Sequence, residues 1–77
     1  DAITLLECFS WDEATFLSKT EGSAIRRIGF ECWRRNVAVA LGNAPSSPEI
    51  SAALTAALND PSSLVREHVR WALAQHS

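Results

Sequence analysis

The sequence predicts an all-α domain built from two stacked helical hairpins, about four main helices in all. Three observations lead there. Apolar residues make up 47% of the 77 positions while proline and glycine number three each, a composition that favours helices over turn-rich sheets. Apolar positions recur at helical spacing, with capping residues ahead of them. The chain also matches itself at an offset of 32 residues, which suits a helix-turn-helix repeat. Seventy-seven residues make one domain near the lower size limit for a self-sufficient core.

Residues 1–9, "DAITLLECF", open in mid-pattern with no initiator methionine and no charged segment leading into an apolar one, so they read as the tail of a preceding segment of a larger protein. The domain proper is expected over residues 10–77. "SWDEATFLSKTEG" carries the signals of a capped helix: Ser10 at the N-cap, Glu13 as its capping-box partner and Gly22 past the end. "SAIRRIG" reads as a short helical turn before "FECWRRNVAVALGN". Were these one helix, Arg26 would share a face with Trp33, Val37 and Leu41 and bury a charge, so a break is expected at Gly29.

"APSSP" is then a short loop. In "SPEISAALTAALN", Ser47 caps, Pro48 takes the first helical position, and Ile50, Ala53, Leu54, Ala57 and Leu58 form one apolar face. "DPSSLVREHVRWALAQH" repeats the device with Asp60 and Pro61. The 32-residue offset lays "RRNVAVALGN" on "REHVRWALAQ", pairing Arg34 with Arg66, Val37 with Val69, Ala40 with Ala72 and Leu41 with Leu73. The last helix resembles the HEAT-repeat pattern, in which an Asp-Pro turn precedes a Val-Arg and then an Ala-Leu pair; Asp60, Pro61, Val65, Arg66, Ala72 and Leu73 fit it. Such hairpins present a surface made by their second helices.

Charge is unevenly spread. Residues 1–18 sum to −4, residues 19–36 to +3 and the remainder to −1, for a net −2. A basic segment between acidic ones can hold an anion without making the whole domain sticky. On a helical wheel Trp33, Val37, Ala40 and Leu41 face the core, Arg35 lies opposite in solvent, and Arg34 and Asn36 flank; Arg66 takes the flank equivalent to Arg34. Ordinary surface pairing is the competing account, Arg26 or Arg27 with Glu21 or Glu31 and Glu67 with Arg70. His68 reads as a hydrogen-bonded structural histidine, and His76 suits the end of the last helix. Trp71 falls outside its apolar stripe and fits a contact to a neighbouring domain or a partly covered surface position.

No metal-ligand spacing, glycine-rich phosphate loop or nucleophile-base pair is present in the sequence, and Cys8 and Cys32 read as free thiols of a reducing cytosol. No run is long and apolar enough to span a bilayer.

Trp11-Asp12-Glu13, Phe16, Gly22-Ser23, Ile25-Arg26-Arg27-Ile28-Gly29, Arg35-Asn36, Ala40-Leu41-Gly42-Asn43 and Val65-Arg66-Glu67-His68 are the strings through which the chain resembles the C-terminal region of the bacterial epoxyqueuosine reductase family. The resemblance implies an enzyme of queuosine biosynthesis that reduces epoxyqueuosine to queuosine at the wobble position of tRNA. It also implies cobalamin and two 4Fe-4S clusters bound by cobalamin-binding and ferredoxin-like domains upstream, with a HEAT-like domain closing the chain. Neither cysteine here matches a cluster motif, and the catalytic acid of that family lies upstream, so this chain is expected to be non-catalytic.

A domain beside such an active site would need to neutralise phosphates of the anticodon stem-loop. Arg26, Arg27, Arg34 and Arg35 are the expected contacts, with Asn36 and Arg66 as weaker ones. A helical-repeat scaffold without RNA contact is the alternative.

Overall fold

The computed structural model describes residues 2–77, with side chains from residue 4 onward. Helices α1 (Ala2–Phe9), α2 (Glu13–Lys19), α3 (Gly29–Asn43), α4 (Pro48–Ala56) and α5 (Ser63–Gln75) follow one another, with a 3-10 turn at Ala24–Ile28 and another at Ala57–Asn59. No strand occurs among the described residues, so the all-α expectation is met.

The break at Gly29 is present. Gly29 has φ 85 and Gly22 φ 76, so both ends of the Arg26-Arg27 segment need the left-handed backbone that glycine adopts without steric penalty. The Ser47 cap and Pro48 at the first helical position also form as expected, the Ile50 N–H donating to Ser47 Oγ at 3.2 Å.

Two caps differ from the expectation. Helix α2 is capped by Asp12, whose Oδ1 accepts from the Thr15 N–H at 2.8 Å, while Ser10 Oγ donates back to the Glu7 carbonyl at the end of α1. Ser10 is drawn into the preceding helix, and the next residue with an extended backbone and a short acceptor takes the cap. Helix α5 is capped by Ser62, which accepts from the Val65 N–H and donates to Glu31 Oε2. Asp60 is thereby released from capping; its Oδ1 closes a turn by accepting from the Ser62 N–H at 2.9 Å.

Helices α3 and α5 form the central pair, with Val37, Ala38 and Leu41 facing Val65, Val69 and Ala72, all buried. They approach closely because Gly42 has no side chain: a Cβ there would lie 2.5 Å from the Trp71 ring and 3.0 Å from Ala72 Cα. Ile50, Leu54 and Ala57 complete the core from α4 and the turn after it. The segment 1–9, expected as a tail, supplies α1, which packs on both α3 and α4 through the buried Phe9. It is α1, then, that stands beside α3 as α4 stands beside α5, and α2 packs on α3 at one end of the molecule.

That end is aromatic. Trp11 stacks on Trp33 with ring centroids 5.6 Å apart and planes 14° from parallel, and Phe16, fully buried, lies 5.6 Å from Trp33 and 5.7 Å from Phe30. Rigid aromatic packing here holds α2 against α3 and so sets the direction of the connecting 3-10 turn.

Candidate nucleic-acid interface

The connecting turn begins at Ser23, whose Oγ accepts from the Ile25 N–H at 3.2 Å and whose carbonyl accepts from the Arg26 N–H at 3.2 Å. It ends where the Gly29 N–H donates to the Arg26 carbonyl. Every residue from Glu21 to Ile28 is exposed. Arg26 and Arg27 line an open hollow with Gly22, Ser23 and Ala24. Neither arginine has an ion-pair partner among the described residues; Glu31, one expected partner, is bonded to Ser62 instead. The expected Glu67–Arg70 pair does not form either. Two guanidiniums without counter-charge on a solvent-facing turn create a local positive potential available to an anion.

The other arginines are placed differently. Arg34 turns inward: its Nε donates to Asp60 Oδ2 at 2.8 Å, its Nη1 donates to the Phe9 carbonyl at 2.6 Å, and the guanidinium lies 4.3 Å from the Phe9 ring centroid and 5.8 Å from that of Phe30. Its side chain is 14% exposed and that of Asp60 11%. Arg66 Nη1 donates to the Asp60 carbonyl at 2.6 Å. The two arginines related by the 32-residue offset therefore meet at one corner, with Asp60 serving one by its carboxylate and the other by its carbonyl.

Arg35, expected in solvent, is half-buried, and its Nε is covered without a hydrogen-bond partner. The wheel fails for Arg35 because it treats α3 as facing a single core, whereas α1, α5, α2 and the 3-10 turn all pack on it. Asn36 is exposed on α3. Among the described residues, the exposed arginines of the segment without an ion pair are thus Arg26 and Arg27, with Lys19 a further exposed, unpaired cation and Asn36 a separate polar neighbour in sequence.

Two features escaped the sequence reading. Ile25 and Ile28 are each 44% exposed, beside the arginines. The Arg34–Asp60–Arg66 corner could have been suspected from the repeat, which puts the two arginines in register, but nothing local marks Asp60 as their shared acceptor.

Both histidines are held by hydrogen bonds to main-chain carbonyls. His68 Nδ1 donates to the Leu64 carbonyl at 2.9 Å, one turn back. His76 Nε2 donates to the Leu41 carbonyl at 2.6 Å, and its Nδ1 lies 2.7 Å from Ser46 Oγ, so the last residue of α5's cap ties down the end of α3. Burial, then the nearby Glu7 carboxylate, pushes the Cys8 thiol above its ordinary value of 9.0. The Thr15 N–H holds the Asp12 carboxyl below 3.8.

Cys8 and Cys32 are both free and half-buried, and no three His, Cys, Asp or Glu side chains among the described residues are grouped as metal ligands. This donor set does not fit an iron-sulfur cluster, and no residue of this chain is assigned to one. No described helix is long and apolar enough to cross a membrane.

The chain is 62% identical over 76 residues to the epoxyqueuosine reductase of Xanthomonas campestris pv. campestris, covering 99% of this chain and 21% of that protein. It is 55% identical over 76 residues to that of Pseudomonas aeruginosa, with the same coverage, and 54% identical over 71 residues to that of Escherichia coli, covering 92% of this chain and 18% of that protein. The resemblance read from Ile25-Arg26-Arg27-Ile28-Gly29 and its companion strings therefore extends over almost the whole chain. The chain spans about a fifth of the length of the curated relatives it matches. No protein-family model matches it, and neither does any solved structure.

Proposed function

We propose that this chain is the HEAT-like, non-catalytic domain at the C-terminal end of an epoxyqueuosine reductase of the cytoplasm, and that it holds the anticodon stem-loop of tRNA through Arg26 and Arg27. The reduction of epoxyqueuosine to queuosine, with cobalamin and two 4Fe-4S clusters, then belongs to the cobalamin-binding and ferredoxin-like domains upstream. The observation that supports the RNA contact is the sorting of the arginines: Arg34 and Arg66 are spent inside the fold, whereas Arg26 and Arg27 stand unpaired on an exposed turn bounded by two glycines. An arginine fork can pair with phosphate oxygens or lie on an unpaired base. Arg35 and Asn36 are secondary contacts in this reading.

Binding of a labelled anticodon stem-loop to the chain across a salt series tests it. Each phosphate contacted contributes a slope of about −0.7 to −0.9 in log K against log salt. The R26E/R27E variant is expected to lose most of the affinity and flatten the slope while keeping its circular dichroism. Unchanged affinity and slope in that variant would remove the assignment.

A second reading, a scaffold that docks protein, is favoured by Trp71, which is 41% exposed and lines a hollow of about 300 Å³ with Val39, Glu67 and His68. Weak dependence on salt and insensitivity to R26E/R27E would point to it.

A further inference from the structure

Four large apolar side chains among the described residues are exposed: Leu17, Ile25, Ile28 and Trp71. Three of the four fall within residues 17–28, and two of them directly flank Arg26-Arg27. The backbone there is a 3-10 turn, with three residues to a turn, so side chains at i and i+3 eclipse. Ile25 and Ile28 therefore stand in one row, next to Arg26 and Arg27, which line the hollow with Gly22, Ser23 and Ala24. The result is an exposed apolar ridge beside two guanidiniums that have no ion-pair partner among the described residues.

A surface that only neutralised phosphates would gain nothing from such a ridge. Duplex RNA shows phosphates and 2′-hydroxyls outward and keeps its base faces stacked. Unpaired nucleotides of a loop expose flat apolar base faces and ribose carbons next to phosphates on either side. Aliphatic side chains meet such faces by dispersion and by removing apolar area from water.

Resting on the reading that this turn contacts RNA, we infer that Ile25 and Ile28 bind the face of an unpaired nucleoside in a looped strand, with Arg26 and Arg27 on the phosphates flanking it. The turn is then selective for looped over duplex RNA.

The test compares binding of the chain to an anticodon stem-loop and to a blunt duplex of equal phosphate count, at low salt and along a salt series. Wild type, I25A, I28A, I25A/I28A and R26E/R27E are measured, each with wild-type circular dichroism as the condition for inclusion. Loss of both isoleucines is expected to weaken stem-loop binding on the order of fivefold. The salt slope should stay unchanged, because no ion contact is removed, and duplex binding should not move. Equal weakening on both RNAs, or none on the stem-loop, overturns this inference while leaving the arginine contact standing. Failure of the wild type to bind either RNA at low salt removes the RNA reading and this inference with it.

Discussion

Replacing Arg34 with alanine should cost the fold about 3 kcal/mol. Two charge-assisted hydrogen bonds are lost, to Asp60 at 2.8 Å and to the Phe9 carbonyl at 2.6 Å, each contributing roughly 1.5–3 kcal/mol. The guanidinium over the Phe9 ring adds about 0.5–1 kcal/mol. Against this, alanine releases about 2 kcal/mol of side-chain entropy that arginine gives up on being ordered. Asp60, only 11% exposed, is left without its cation. A chain of this size has a total stability of roughly 4–11 kcal/mol, so the variant loses a large fraction of it.

Urea unfolding followed by circular dichroism measures the change, and the thermal midpoint should fall by about 10–20 °C. R34K keeps the charge without the fork and should fall between R34A and wild type. In a double-mutant cycle R34A and D60N should be coupled by about 1–3 kcal/mol. A loss under about 0.5 kcal/mol for R34A, with no coupling to Asp60, would refute the reasoning. It would mean that the guanidinium is not held at this corner, and Arg34 would return to the set of phosphate contacts.

Gly42→Ala should destabilise by about 1–2 kcal/mol despite the better helix propensity of alanine, because the Ala72 backbone 3.0 Å from the new Cβ cannot move aside as the Trp71 ring can; urea unfolding measures it. His76→Ala should cost about 1 kcal/mol through the orphaned Leu41 carbonyl, read as a lower denaturant midpoint at unchanged slope. Asp12 has a folded pKa below its ordinary 3.8, so its stabilising charge is fully present above that value and is lost as pH falls through the lower folded one. An acid titration of stability should therefore show a loss below about pH 3.8 in the wild type that is absent in D12N, which keeps a capping oxygen but does not titrate. Cys8, raised above 9.0, should react slowly with an alkylating reagent at neutral pH, as mass spectrometry of the modified peptide would show.

The all-α class, the extent of α3, the Ser47-Pro48 start of α4 and the break at Gly29 were legible from periodicity and from a charge that could not be buried, whereas the expected apolar face of α4 through Ala57 and Leu58 ends in a 3-10 turn after Ala56. The cap assignments at Ser10 and Asp60 missed because several short polar residues stand within three positions of each helix start. Which of them caps depends on where the chain turns out of the preceding element, as Ser10 does by bonding back to Glu7 and Asp60 by meeting Arg34. The role of α1 was illegible because "ITLLECF" is apolar enough to be a buried helix or a connecting segment, and only its packing against α3 and α4 distinguishes them.

The basic segment divides along the same line. By itself the sequence determined that four arginines lie within residues 26–35, that helical spacing would bury Arg26 unless the helix broke, and that Arg34 and Arg66 are in register. Only the tertiary structure decided which guanidiniums are consumed by the fold and which are left for a ligand. An arginine side chain reaches far from its Cα, so its position on a helix confines the charge to a wide ring. The acceptors that fix it within that ring, Asp60 and the Phe9 carbonyl, come from segments about 25 residues away in either direction that no local pattern connects.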